Sequence, residues 1–323
     1  MTPIGPEGGH RGTVSDYGEA VTVVIVGLGQ LGSDVAARLL ARGEDVVGIR
    51  RTPPPETAPL PAPAAVPEPA SLTEPTPLPE PVEGHVALHL LDIVTDIPSL
   101  PADTTAVIIS LAPRARSVEA YDALYRNGIA NVLAAVAALA GPAPRIVFVS
   151  STGVWSEDSG EQLDDTSPAR PATGTARALL AAEDSVHAAV DEACCVRFGG
   201  LYGPSSTMLL DQVRAGHVTR PSGWTNRIHR DDAAAVVLRL LDLPAGSLPP
   251  VVAGIDEEPA LLSEVVDHLA EQLGVAPPKL DEVGRTPEER RRGKRIAATF
   301  LRSSGFIYRY PTYREGYGAM FHA

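Results

Sequence analysis

A chain of 323 residues, 44% hydrophobic and 21% charged, is long enough for one large α/β core with a smaller unit beside it. Its formal net charge of −13 argues against a broad nucleic-acid-binding surface or an anionic membrane partner. No apolar run reaches about 18 residues, so no membrane span is expected, and residues 1–20 lack the apolar stretch of a secretion signal. A cytoplasmic location is the simplest expectation.

Residues 1–20, rich in Gly, Pro and polar groups, read as a flexible tail. The run "VTVVIVGLG" (21–29) is apolar and β-branched throughout, as in a strand covered on both faces. "GSDVAARLLARG" (32–43) follows as a helix with Gly43 as a C-terminal cap, and "EDVVGIRR" (44–51) as the next strand, completing a βαβ unit. The stretch after Thr52 contains twelve prolines before Gly84 and reads as an exposed insertion over 53–82. It offers an extended segment that a protein partner's aromatic groove could take.

Strands are expected again near 85–91 and 105–111, a helix over 117–140, and a strand over 145–150. A helix begins near Thr173, followed by the strand "CCVRFG" and a helix near 206–215. The segment 227–244 starts another helix, 249–255 is a strand, and "LLSEVVDHLAEQLG" (261–274) is amphipathic. This alternation predicts an α/β fold: a Rossmann-like doubly wound parallel sheet with a smaller C-terminal substrate-binding subdomain. The core is expected over 21–200 and the small unit mainly over 201–230 and 250–320, with helix 231–244 returning to the core.

The sharpest motif is "VVIVGLGQLGSDVAARLL", where Gly27, Gly29 and Gly32 stand at a strand-to-helix turn. Gly27 permits the tight turn, Gly29 a close approach of backbone to pyrophosphate, and Gly32 close helix–strand packing. Gln30 and Leu31 complete the turn at the helix N-terminus. Arg50 and Arg51 end the second strand, where an acidic residue would hold the ribose hydroxyls of NAD; guanidinium forks there favour the 2′-phosphate of NADP instead. Asp92 ends the third strand and could meet adenine, while Ser110, Leu111 and Ala112 end the fourth and could line the cofactor with backbone. No metal is expected: the eight histidines are scattered, and His85 and His89 share a strand face without a third ligand. Adjacent Cys194 and Cys195 point to opposite strand faces and read as small buried hydrophobes.

With "VIVGLGQLG", "LLD", "FVSSTGVW" and "RFGGLYGP" in this order, the chain resembles the extended and atypical short-chain dehydrogenase/reductase superfamily, of the NAD-dependent epimerase/dehydratase type, over roughly residues 21–320. The resemblance implies a serine that holds a substrate hydroxyl or carbonyl, a tyrosine acid/base on the next helix, and a lysine four residues later. Ser151 matches the serine, with Thr152 beside it, and Trp155 stands where the family has the tyrosine of its "VYG". The catalytic tyrosine position falls at or near Thr173 and the lysine position at Arg177. A threonine hydroxyl cannot be tuned toward neutrality as a phenol can, and no lysine precedes Lys279. Arg177 retains the charge to bind ribose or phosphate. His229 has a suitable pKa range for acid/base work and sits where family members contact substrate or brace its loop. The resemblance also places Tyr202 near nicotinamide and makes Arg197, Trp224 and Arg227 substrate-side candidates, the two arginines either as an anion site or as partners of local acids. It further implies a homodimer. Two functions stay open: an oxidoreductase or epimerase on a small or nucleotide-linked hydroxy/carbonyl substrate with non-standard catalytic residues, or a catalytically silent dinucleotide-binding sensor or scaffold.

Overall fold

The structure is a computed structural model that describes residues 22–53, 85–218, 223–279, 286 and 288–321. The expected N-terminal tail and all but the first residue of the proline-rich insertion lie outside the described residues. The first unit is β1 (Thr22–Val26), α1 (Gln30–Leu40) and β2 (Asp45–Arg50). Every residue of β1 is buried, as a β-branched strand between two helical layers should be. Leu31, Val35 and Leu39 repeat every four residues along α1 and face the core. Gly43 then reverses the chain at φ +78.

The chain continues through β3 (Val86–Leu90), β4 (Thr104–Ile109), α2 (Val118–Asp122), a π-helical turn over Ala123–Gly128, α3 (Ile129–Ala137) and β5 (Arg145–Ser151). Next come β6 (Gln162–Asp164), α4 (Gly174–Ala189), β7 (Ala193–Phe198), β8 (Gly200–Tyr202) and α5 (Met208–Arg214). The remainder is β9 (Trp224–Thr225), β10 (Arg227–His229), α6 (Arg230–Leu241), β11 (Val251–Gly254), β12 (Ala260–Leu261), α7 (Leu262–Leu273), β13 (Arg295–Ala297), α8 (Thr299–Ser303) and α9 (Tyr313–Phe321).

Seven strands form one parallel sheet in the order β11-β7-β5-β4-β1-β2-β3. The strand at 251–254, grouped by sequence with the small unit, is therefore an edge of the main sheet. Alternating side chains of β1 divide between two cores: Val23 and Ile25 pack with α1 and α6, Val24 and Val26 with α3 and α4. A third cluster joins Tyr202, Leu210, Val213, Leu262, Val265, Tyr313 and Tyr317. Strand order reverses between β1 and β4, and in such sheets ligands sit at the carboxyl edge beside that reversal. No helix among the described residues is long and apolar enough to cross a membrane.

Candidate functional site

The glycine turn lies at that reversal. Gly27 has φ +100, its N–H donates to the Ile49 carbonyl at 2.8 Å, and a Cβ on it would lie 2.1 Å from the Ser110 carbonyl oxygen. A Cβ on Gly32 would lie 2.3 Å from the Gly27 carbonyl oxygen. Both positions therefore require glycine for reasons internal to the fold. Gly29 differs: it is the N-cap of α1, no side chain caps it, and a Cβ there would meet nothing within 4 Å. Free amides at the positive end of a helix, facing open space, form a site suited to a pyrophosphate. The Leu31 side chain is buried in the core, and Gln30 Nε2 donates to the Ser205 carbonyl at 2.8 Å. What these two offer a dinucleotide is their backbone amides.

Arg50 and Arg51 end β2 and separate in role. Arg51 Nη1 is 3.9 Å from Asp92 Oδ2, an exposed and weak pairing, while Asp92 Oδ1 accepts the Val94 N–H at 3.1 Å. Arg50 Nε is buried and has no hydrogen-bond partner among the described residues. An orphaned guanidinium nitrogen at the carboxyl end of β2 fits a cofactor phosphate. At the end of β4, the Ser110 N–H donates to Val26 and the Leu111 carbonyl accepts the Tyr125 hydroxyl at 3.1 Å. Ala112, just beyond, is exposed.

The end of β5 divides its two serines by strand alternation. Ser150 faces inward, its hydroxyl bonded to Glu183 of α4, and Glu183 also receives a forked contact from Arg197 at 2.6–3.2 Å. Both members of this ion pair are buried. Arg197 is thus consumed by Glu183 and by the Trp155 ring, 4.6 Å from its guanidinium carbon, and is not the anion site expected from sequence. Trp155 is fully buried, with its indole N–H on the Ser167 carbonyl at 2.9 Å, so it packs the wall instead of facing a substrate. Ser151 is half-buried; its Oγ accepts the Gly153 N–H at 3.1 Å, which leaves the hydroxyl proton to give. Thr152 is half-buried beside it.

On α4, the two positions where the resemblance places a tyrosine and a lysine serve the helix itself. Thr173 Oγ1 accepts the Ala176 N–H at 3.1 Å as N-cap, and Arg177 Nη1 folds back onto the Ala172 carbonyl at 2.8 Å. His229 is likewise structural. It is buried, its Nδ1 accepts the Asp231 N–H at 3.2 Å to cap α6, and its ring lies against Tyr202 and Tyr310. Burial pushes its pKa down to about 4, with Asp231 opposing and Arg230, Arg309 and Arg38 adding to the shift. The imidazole is thus held neutral, with the lone pair of Nδ1 engaged in the cap. Tyr202 is buried, stacked on Tyr317 at 4.3 Å, with its phenol pushed up by desolvation. Arg227 is buried against Thr225 and Tyr317. Trp224 alone of the substrate-side candidates beyond Thr152 borders open space: it lines a cavity of about 310 Å³ past the end of β11.

Sequence reasoning missed residues that share this cavity with Trp224, among them Asp256, Arg295 and Arg302. The available signal was an acid directly after the apolar strand "VVAGI", at a carboxyl edge. Lys294 was also passed over; its Nζ donates to the Trp155 carbonyl, and burial lowers its pKa. Among the described residues no three His, Cys, Asp or Glu side chains gather where a metal could be held.

The comparisons with known proteins agree with this geometry. A model of the NAD dependent epimerase/dehydratase family matches residues 23–252. Protein YeeZ of Escherichia coli is 30% identical over 298 residues, covering 90% of this chain and 96% of YeeZ. A solved structure from Methylobacillus flagellatus, assigned as an NAD-dependent epimerase/dehydratase, is 27% identical at TM-score 0.68, covering 93% of this chain and 97% of that one. The UDP-glucose 4-epimerase of Thermus thermophilus, solved with NAD, shares the fold at TM-score 0.67 and 18% identity, over 93% of this chain and 98% of that one. This chain belongs to the NAD dependent epimerase/dehydratase family.

Proposed function

We propose that the chain binds a nicotinamide dinucleotide along the carboxyl edge of its sheet, NADP in preference to NAD, and acts on a small hydroxyl- or carbonyl-bearing substrate placed at Ser151. The observation that carries the reading is the pairing of an open, uncapped Gly29 with the orphaned Arg50 Nε, just past the carboxyl end of β1 and at that of its neighbour β2. When bound, the nicotinamide supplies hydride exchange with a carbinol or carbonyl carbon. The amides at Gln30 and Leu31 hold pyrophosphate, Arg50 takes the 2′-phosphate, and the β4 backbone at Ser110–Ala112 borders the path to β5. Ser151 donates its hydroxyl proton to a substrate oxygen and so orients it.

The rival reading, a catalytically silent dinucleotide binder, is favoured by one specific observation: Thr173 Oγ1, Arg177 Nη1 and His229 Nδ1 each bond backbone at a helix start. Calorimetric titration with NADP(H) and NAD(H) tests the cofactor reading. Affinity equal or better for the NAD forms removes the role of Arg50, and no binding of any form removes the site. Single-turnover oxidation of NADPH with a panel of small ketones and aldehydes, comparing wild type with Ser151→Ala, separates the two functions. Turnover that disappears in Ser151→Ala supports the enzyme; NADPH binding without oxidation by any carbonyl supports the silent binder.

A further inference from the structure

The edge strand β3 presents an apolar face that nothing among the described residues covers. All five of its residues are exposed, and in the sheet it pairs with β2 alone. Val86, Leu88 and Leu90 stand opposite Val46, Gly48 and Arg50 of β2. Register partners point to the same side of a sheet. On β2 that side is the α1 side: Val46 packs in the α1 core, and a Cβ on Gly48 would lie 2.0 Å from Leu28 of the same core. Val47 and Ile49 point the other way, into the core of α3 and α4. Val86, Leu88 and Leu90 therefore form a row on the α1 side, at 50%, 41% and 53% exposure.

Topology dictates what crosses that side. β1, β2 and β3 are successive parallel neighbours, and crossover connections between such strands are right-handed. α1, which joins β1 to β2, marks the side a right-handed crossover takes here, so the β2–β3 connection passes on the same side. That connection is residues 54–84, leaving from the end of β2 and returning at the start of β3. One pass along a five-residue strand spans about 17 Å, or roughly six residues of extended proline-rich chain. The 31 residues from 54 to 84 provide several times that.

The connection also carries a period. Proline-rich chain favours the polyproline II helix, which repeats every three residues. Leu60, Val66, Leu72 and Leu78 are spaced six apart, with a proline midway in each interval, so they share one face of such a helix. The five glutamates, at 56, 68, 74, 80 and 83, also differ by multiples of three and share a second face. Val82 is the one leucine, isoleucine or valine off the apolar face, and 54–84 contain no lysine or arginine. Richness in proline alone gives no reason for leucines and glutamates to separate in this way.

We infer that residues 54–84 dock on the β2–β3 edge of their own sheet, with the face of Leu60, Val66, Leu72 and Leu78 laid over Val86, Leu88 and Leu90 and the glutamates turned to solvent. The segment takes the layer that a crossover helix fills in the β1–β2 unit. Its prolines lack the N–H that an added strand must donate, so it covers the face of the sheet and β3 stays the edge.

Thiol labelling of the full chain tests the docking. Cys194 and Cys195 are the two native thiols and both are buried, so Leu88→Cys adds the one accessible thiol. Gln272→Cys, at an exposed position of α7, supplies the unprotected reference. N-ethylmaleimide should modify the Leu88→Cys protein at least ~10-fold more slowly than the reference, because labelling then waits on local opening. Serine at 60, 66, 72 and 78 together, in the Leu88→Cys protein, should raise the rate to that of the reference. Glutamine in place of the five glutamates should leave it slow. Silence of Cys194 and Cys195 in the same reaction shows that each variant is folded. Equal labelling of the Leu88→Cys and Gln272→Cys proteins overturns the docking, as does protection that survives the four serines or that the glutamines remove equally. Protection that fades on dilution also overturns it, by assigning the face to a second copy of the chain.

Discussion

Gly27 and Gly29 stand two residues apart in one turn, yet alanine at each should fail in opposite ways. At Gly27 a Cβ meets φ +100 and a carbonyl oxygen 2.1 Å away. The left-handed side of the backbone costs an L-residue roughly 1–2 kcal/mol. Relieving a contact with backbone adds about 1–3 kcal/mol more, because the carbonyl belongs to β4 and cannot swing aside as a side chain would. A loss near 3 kcal/mol corresponds to about 4–5 °C in Tm for a chain of 323 residues. Gly29 has φ −77 and empty surroundings, so Gly29→Ala should melt within about 1 °C of wild type. Its methyl group would instead stand where pyrophosphate approaches, and about 1–3 kcal/mol of overpacking there weakens NADPH roughly 10- to 100-fold. Differential scanning calorimetry and NADPH titration of both variants give the four numbers needed. A Gly29→Ala protein that binds NADPH within a factor of about two of wild type refutes the cradle, however the Gly27 variant behaves.

Arg50→Ala should weaken NADPH by ~10-fold or more while leaving NADH nearly unchanged, read by paired calorimetric titrations; an equal loss for both would assign Arg50 to the fold. Glu183→Ala strands the buried Arg197 and should cost about 3–5 kcal/mol in denaturant unfolding, whereas the Glu183→Leu, Arg197→Met double variant should recover much of it; equal losses in the two would show that the pair is replaceable by nothing apolar. His229, held near pKa 4 against an ordinary value of 6.5, is neutral in the fold and takes up its proton more readily when unfolded. Its contribution is therefore fully present above pH 6.5 and falls by about 3 kcal/mol as pH drops toward 4. His229→Asn, which keeps an acceptor for the Asp231 N–H, should flatten that acid limb in urea unfolding from pH 7 to 4, and an unchanged limb would show that other groups set it.

What could be read from the sequence was what local patterns determine. The glycine turn was legible because strand, turn and helix adjoin within eighteen residues, and apolar periodicity places each side chain without knowledge of the rest. Arg50 was legible as the end of a strand, but its orphaned Nε was not, since orphaning depends on every neighbour at once. Arg197 and Trp155 were misjudged for one shared reason. Each is buried, so its polar group must find an internal partner, and that partner, Glu183 for Arg197 and the Ser167 carbonyl for Trp155, lies on a different stretch of the chain. A doubly covered strand could have warned that an arginine within it is not free to hold a ligand. Of the two roles the sequence left open for His229, acid/base group or brace of its loop, the structure places the imidazole as the cap of α6, a contact legible only once the helix start is known.

Helix α4 is the element on which the functional question turns. Its first turn carries Thr173 and Arg177, four residues apart on one face, where the resemblance expects a phenol and an amine. Both are occupied in closing the helix, and neither can shuttle a proton near pH 7. Its middle carries Glu183, which grips Ser150 of β5 and Arg197 of β7. The helix therefore holds the end of β5 in place and, with it, the hydroxyl of Ser151. It acts as a wall that positions. The carboxyl group on this edge whose titration is displaced toward neutrality is Asp256, past β11, on the side away from the dinucleotide turn. Helix α4 thus positions the end of β5, and the carboxyl group displaced toward neutrality comes from a different element of the sheet edge.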